Sequence, residues 1–407
     1  MSVPTATRKS HKAAFALAAC LVVLWGFGHR LYDGLMPLFA EVFGLSGLKL
    51  GLTLSVYNVV YVFAALPAAL YARAFGYKAA ILLGLGFLAV GAFTLYPASK
   101  APGFAFFLLA VTAMATGWLI LEIAANPLFA AFGPPGRAVF RLNLAQCLYP
   151  VGALIGIATG QWILSTDRAQ PQAGEAYAIA HPYIVVGALV VLIAFLIEES
   201  EFPEAAKERL PGFGGVRREI RLLLAHPVIR FAMVAQFGSV VGMGMLWATA
   251  DGALRTGFAG LAGAKTADIF FLCTAVFGAG RLIGTALMRA VAPATVLLAH
   301  SVLGCAAALA GILGGDLATA LAVLGLSLAL SISWPTILGL ALQGFKHEMK
   351  IITAFLALAG AAGGIAYHVL GTAFGGAPHS AMFATAGLCS AVIAAFAYSR
   401  MQRGTAG

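Results

Sequence analysis

Gly117-Trp-Leu-Ile-Leu-Glu122-Ile-Ala-Ala-Asn126-Pro127-Leu-Phe129 sets one carboxylate in a stretch otherwise apolar enough to be buried in lipid. A charged side chain near the bilayer centre costs roughly 2.5–3.5 kcal/mol on insertion scales, so such residues face a protein interior or a water-filled path and handle ions, protons or solute. Glu122 is therefore the first candidate for function, and the segment around it is read as a transmembrane helix.

The rest of the chain agrees with that reading. It has 407 residues, 61% of them hydrophobic and only 10% charged, with a mean hydropathy of +0.94. A soluble domain carries about 25% charged residues, so the composition describes an all-α polytopic membrane protein. Twelve apolar windows, from 13–36 to 380–399, are each long enough for a roughly 30 Å hydrocarbon core. They include 50–72 and 79–98 as separate spans, with 138–164 and 316–344 as single helices. The short basic Met1–Lys12 leads into a run longer than a signal-peptide core, so that run is read as the first span.

A net charge of +10 invites a nucleic-acid reading, but its distribution argues against one. Eighteen Lys and Arg fall on one side of the spans, among them Arg8, Lys9, Lys12, Arg73, Lys78, Arg137, Arg141 and six between Lys207 and Arg230. Only Lys49, Lys100, Arg168, Arg255 and Lys265 fall on the other. That bias makes both termini cytoplasmic. The longest charged linker, about Glu198–His226, divides the spans six and six and reads as an amphipathic connection along the membrane surface. The expected organisation is a helical bundle over 1–198, a cytoplasmic linker over 199–229 and a second bundle over 230–407. A weak echo, Ala69-Leu-Tyr-Ala-Arg-Ala74 against Ala286-Leu-Met-Arg-Ala290, fits the duplicated plan of two-bundle secondary transporters.

Polar residues inside the spans are the remaining candidates. His29, Arg30 and Asp33 are spaced to share a helix face, as an internal ion pair or as a binding cluster. Asn143, Gln146 and Tyr149 recur at i, i+3 and i+6, and with Asn126 they offer the amides and hydroxyl that suit hydroxyl-rich ligands or glue helices together. Gln236 is a weaker candidate of the same kind, Trp334 sits beside a kink at Pro335 where it can stack on an apolar sugar face or simply pack, and His368 is a lone histidine that reads as packing. Pro67, Pro127, Pro150 and Pro335 can each kink a span and free a carbonyl. Five cysteines lie in apolar runs without metal or disulfide spacing. The sequence has no P-loop, no HExxH and no GxSxG. An intramembrane enzyme would need a nucleophile or metal constellation, and an ATP-driven pump a phosphate loop.

The motifs resemble a known family over nearly the whole chain. Leu24-Trp-Gly-Phe with Asp33 and Pro37-Leu-Phe39, Phe75-Gly-Tyr-Lys78, Leu121-Glu-Ile-Ala-Ala-Asn-Pro127, Phe140-Arg-Leu-Asn-Leu-Ala-Gln146 and Trp334-Pro-Thr336 are similar to the fucose/galactose/glucose:proton symporters of the major facilitator superfamily. Ala235-Gln-Phe237, Gly280-Arg281 and Gly363-Gly364 match more loosely. The resemblance implies twelve helices in two six-helix bundles around a cavity that opens alternately to each side. It implies Asp33 and Glu122 as proton-coupling carboxyls, Gln146 as a sugar ligand and Trp334 as the aromatic before Pro-Thr. Two departures touch the implied site: His29-Arg30-Leu31-Tyr32-Asp33 stands where an amide-rich Asn-x-Leu-Asn-Asp is usual, and Tyr149 where an asparagine is common.

The expected function is proton-coupled uptake of a monosaccharide or related polar solute across a bacterial inner membrane. The expected protein is a monomer in the lipid bilayer with no cofactor beyond the coupling proton and no nucleic-acid partner. A variant has Arg30 binding a sugar acid while Glu122 alone carries the proton, and a non-transporting sensor or structural subunit is the alternative of a different class.

Overall fold

The computed structural model describes residues 8–100, 103–165, 181–202, 212–373 and 379–405. Arg168, Lys207 and Arg209 of the charge tally lie outside them. In chain order the helices are α1 (Arg8–Val42), α2 (Leu48–Lys100), α3 (Phe104–Ala131), α4 (Ala138–Gln146), α5 (Leu148–Ser165), α6 (His181–Glu198), α7 (Phe213–Ala225), α8 (Pro227–Gly257), α9 (Thr266–Leu287), α10 (Pro293–Leu313), α11 (Asp316–Leu330), α12 (Ser333–Leu342), α13 (Met349–Ala373) and α14 (His379–Thr405).

Eleven helical stretches among the described residues are long and apolar enough to cross a membrane, against twelve expected windows. The difference lies in α2. Its apolar stretch of 52 residues would extend about 78 Å as a straight helix, more than twice a hydrocarbon core. Gly76, at φ 91° and ψ 172°, reverses the chain, so α2 is two antiparallel limbs and crosses twice. Only glycine takes that conformation without steric cost. The interval between the expected windows 50–72 and 79–98 is thus closed by a break one residue sharp.

Two spans read as single helices are broken. The window 138–164 divides at Cys147 into α4 and α5, and 316–344 divides at Ser331-Ile332 into α11 and α12. Each break is followed closely by a proline, Pro150 and Pro335. In an unbroken helix the carbonyls of Gln146 and Ser331 would accept from the amides four residues on, which are these two prolines. Proline has no N–H to give.

The early helices pack through small residues. An added Cβ at Gly26 would lie 2.1 Å from the Tyr149 carbonyl oxygen, and one at Gly152 would lie 2.0 Å from that of Val23, so α1 and α5 touch backbone to backbone. Close approach of this kind replaces the hydrophobic drive that lipid cannot supply. Large side chains turn outward instead: Phe63 is 77% exposed, Leu313 75% and Trp162 67%, as a lipid-facing surface requires. At the α3 C-terminus the Arg141 side chain, expected as a loop charge, lies in α4 and donates to the carbonyls of Ala130, Gly133 and Pro134. It satisfies helix-end acceptors and fixes α4 against the helix that carries Glu122.

The linker helix α7 is amphipathic, as its charge pattern suggests. Arg73, at the end of the first limb of α2, donates to both carboxylate oxygens of Glu219 on α7 at 2.8 Å, and the Arg73 side chain is 7% exposed. Contacts between the early and late helices run along α2 with α13, α5 with α9, and α4 with α12.

Replacing Gly152 by valine is expected to cost about 1–3 kcal/mol or more through overpacking, read as a lower unfolding temperature in detergent. Gly86→Ala, where nothing lies within 4 Å of an added Cβ, is the matched control and leaves that temperature unchanged or raised.

Candidate functional site

Asp33 lies nine residues from the C-terminal end of α1 and Glu122 nine residues from the C-terminal end of α3, each about 14 Å in along its helix axis. Their surroundings differ.

Asp33 is open. Its side chain is 59% exposed, and its Oδ2 accepts from Nη1 of Arg30 at 3.1 Å. The guanidinium of Arg30 also lies 4.5 Å from the ring centroid of Trp247, on α8. A residue from each half of the chain therefore meets at this pair, with Trp247 in turn edge-on to Phe270. A stacked guanidinium beside a carboxylate gives a nearly neutral, polar rim with an aromatic face. The Nε of Arg30 is buried and has no hydrogen-bond partner.

His29 does not join that cluster. It accepts a hydrogen bond from Nε1 of Trp25 at 3.1 Å and packs edge-on against Tyr57 and Trp118. Although spaced to reach Asp33, its ring lies among aromatic side chains, while Arg30 and Asp33 turn toward α8.

Glu122 is closed. It is 2% exposed, its Oε2 accepts from the Tyr61 hydroxyl at 2.8 Å, and its Oε1 is buried without a partner. One turn on, Asn126 Oδ1 accepts from Nε2 of Gln146 at 2.8 Å, and Nδ2 of Asn126 remains unpartnered. The α3 face thus carries a carboxyl and an amide in register with the end of α4. Tyr149 lies beside the Arg281 guanidinium, which is 5.9 Å from the Tyr149 ring centroid, and its carbonyl meets Gly26 of α1.

The remaining expected residues go elsewhere. Asn143 donates from Nδ2 to its own helix at Val139 and accepts at Oδ1 from Thr336 of α12 at 3.2 Å, so it joins the two halves. Trp334 packs against Gly360 of α13. Gln236 is fully buried in α8, with both amide atoms unpartnered.

Arg281 on α9 carries a role that the spacing of motifs does not reveal. It is 4% exposed, and it donates from Nη1 to the Gln146 carbonyl at 3.0 Å and from Nε to the Ser331 carbonyl at 2.7 Å. These are the two carbonyls that Pro150 and Pro335 leave without a donor. The Phe277 ring lies under the same guanidinium, 4.6 Å from its centroid. Beside it, Cys147 Sγ lies 3.3 Å from Thr285 Oγ1. A signal for Arg281 exists in the composition. Of 25 Lys and Arg, only Arg30 and Arg281 are left over when the loops and helix ends have been counted.

Known proteins share this architecture. The family model described as Major Facilitator Superfamily matches residues 18–368. The L-fucose-proton symporter of Escherichia coli (strain K12) is 29% identical over 418 residues, covering 98% of this chain and 95% of that protein. The L-fucose-proton symporter of Haemophilus influenzae is 30% identical over 85% of each, and the glucose/galactose transporter of Brucella abortus is 26% identical over 89% of this chain and 87% of its own. Among solved structures, the transporter FucP in its outward conformation superposes with a TM-score of 0.84 at 28% identity, over 96% of this chain and 99% of that one. A proton:xylose symporter matches in fold, with a TM-score of 0.75 at 13% identity over 96% of both chains. By sequence and by fold, the chain belongs to the Major Facilitator Superfamily of multi-pass membrane transporters.

Proposed function

We propose that this protein is a proton-coupled symporter that imports a neutral monosaccharide across a bacterial inner membrane by alternating access. The observation that carries the reading is Glu122, a carboxyl shut away inside a span with one hydroxyl on one oxygen and nothing on the other. A carboxyl group out of water is held most cheaply in its neutral form, so it takes up a proton readily and releases it when its surroundings change. Solute binding that alters this balance is altered by it in return. The relatives, an L-fucose-proton symporter and a glucose/galactose transporter, supply the solute class by analogy.

Residues around Glu122 and Tyr149 suit a sugar. Asn126 and Gln146 hold one another and keep a free Nδ2 donor, while Tyr149 adds a hydroxyl. Amides that both donate and accept pair well with hydroxyl groups. The moving units are 1–198 and 230–407, joined by 199–229, with both termini in the cytoplasm and one chain sufficient for the cavity.

A sugar acid is the second reading, favoured by the unpartnered Nε of Arg30. Asp33 already neutralises that guanidinium at 3.1 Å, which supports a neutral solute. A carboxylate on the solute would have to displace Asp33 or meet it protonated.

Proteoliposomes containing a trapped pH dye provide the test, with L-fucose, D-galactose, D-glucose, D-galacturonate and D-gluconate added singly. Acidification with one of them, faster as the external pH falls and abolished in Glu122→Gln, is the expected result. Silence across the panel from folded protein overturns the proposal. In Arg30→Ala, a neutral sugar is expected to be taken up with its proton stoichiometry intact and its affinity lowered roughly tenfold, as for loss of one stacked polar contact. Uptake of galacturonate or gluconate that disappears in the same variant selects the sugar-acid reading instead.

A further inference from the structure

Tyr61 stands on the first limb of α2 and Glu122 on α3, so the 2.8 Å hydrogen bond between them ties two neighbouring helices through the carboxyl. With Oε1 bare, this hydroxyl is the only hydrogen-bond partner Glu122 has among the described residues. A donor aimed at a carboxylate stabilises its charged form, and a bond to a charged group is about twice as strong as one between neutral groups. Protonation weakens that bond, because the neutral carboxyl accepts less strongly and gains an O–H of its own to donate. The hydroxyl therefore senses the proton at the atom where it binds.

We propose that Tyr61 is the positioning residue for the transported proton, its hydrogen bond setting the acidity at which Glu122 loads and unloads. The proposal rests on the reading of Glu122 as the proton carrier. Two further phenols lie nearby in the chain's packing: Tyr57, one turn before Tyr61 on α2, which meets His29 and Tyr32 of α1, and Tyr149 on α5, whose ring centroid is 5.9 Å from the Arg281 guanidinium. The charged groups of the neighbouring helices are engaged elsewhere: Arg30 and Asp33 of α1 hold one another, and Arg281 of α9 holds the Gln146 and Ser331 carbonyls. His29 of α1 is held by Trp25 and packs on Trp118 of α3. On α4, Gln146 holds Asn126, one turn beyond Glu122, Asn143 is taken up by Val139 and Thr336, and Arg141 is engaged at the α3 end. From α13, Lys350 is seated over the Tyr77 ring and His368 against Tyr367.

The position on α2 gives the bond reach. Asn58, three residues before Tyr61, lies against Gly364 of α13, where an added Cβ would fall 2.5 Å from its Oδ1. One turn of helix thus meets the carboxyl on one flank and the other half of the protein on another.

The measurement is pH-difference infrared spectroscopy of the full-length protein in lipid nanodiscs, which reads the carboxylic C=O stretch without any solute. The band lost in Glu122→Gln belongs to Glu122. In Tyr61→Phe that band is expected to persist at higher frequency, with its pH midpoint raised by about one unit, roughly tenfold in proton affinity, as for loss of one hydrogen bond to a charged group. Placing 3-fluorotyrosine at position 61, a stronger donor of nearly the same shape, is expected to lower the midpoint and covers the case in which the phenylalanine variant does not fold. Tyr57→Phe is expected to leave the band in place. An unmoved midpoint and frequency in both position-61 variants overturn the inference while leaving Glu122 as proton carrier, and an equal shift in Tyr57→Phe overturns it as general loosening. If Glu122→Gln removes no titrating band, the proton-carrier reading falls and this one with it.

Discussion

A bilayer offers no water to a broken helix, and in this protein one guanidinium makes good the shortage at two breaks. Backbone carbonyls in hydrocarbon must find a donor within the protein. Prolines at 150 and 335 withhold two such donors, one in each half of the chain, and Arg281 gives its Nη1 and Nε hydrogens to the carbonyls they orphan. The charge is itself affordable only because it is spread over the acceptors and the Phe277 ring. Removing the guanidinium would strand two carbonyls together with the irregular backbone around Gln146 and Ser331. The amide of Gln146 that reaches Asn126 depends on that backbone for its aim.

The same rule, that nothing polar is left idle without consequence, separates the two carboxylates. Asp33 is open, paired with Arg30, and placed where the two halves meet at Trp247. Glu122 is enclosed, with a single neutral donor. An exposed ion pair is cheap to make and to break. A closed carboxyl is costly to keep charged, and its state bears directly on the packing around it. The chain thus holds one carboxylate in an open, paired rim and the other in a closed interior.

Much of this was legible in the sequence, for reasons that are local. Hydropathy marks spans because each must match the membrane by itself, and Glu122 stands out because a carboxylate in such a span is expensive. Of the four prolines able to kink a span, Pro150 and Pro335 follow breaks, while Pro67 and Pro127 lie within α2 and α3. What was not legible depends on how helices meet. His29 and Asp33 have the spacing of partners, yet the ring is held among Trp25, Tyr57 and Trp118. Asn143 looks like a ligand until Thr336 of α12 arrives to occupy it. Tyr61 is one aromatic residue in an apolar run, and nothing in its neighbours along the chain points across 61 positions to Glu122. Arg281 left a trace by elimination and in the loosely matching Gly280-Arg281, but neither shows which carbonyls it holds.

The linker adds a mechanical consequence. Arg73 holds Glu219, so α7 is pinned to the foot of the first limb of α2. Between α7 and α8 there is a single residue, His226, at φ −70° and ψ 122°, leaning edge-on against Phe345. A helix of 13 residues is a strut about 20 Å long, and α8 springs directly from its far end. If the late helices swing as a body while the strut stays moored, that motion is channelled into the two torsions of one residue. The connection then works less as a slack tether than as a crank, with its bearing at His226.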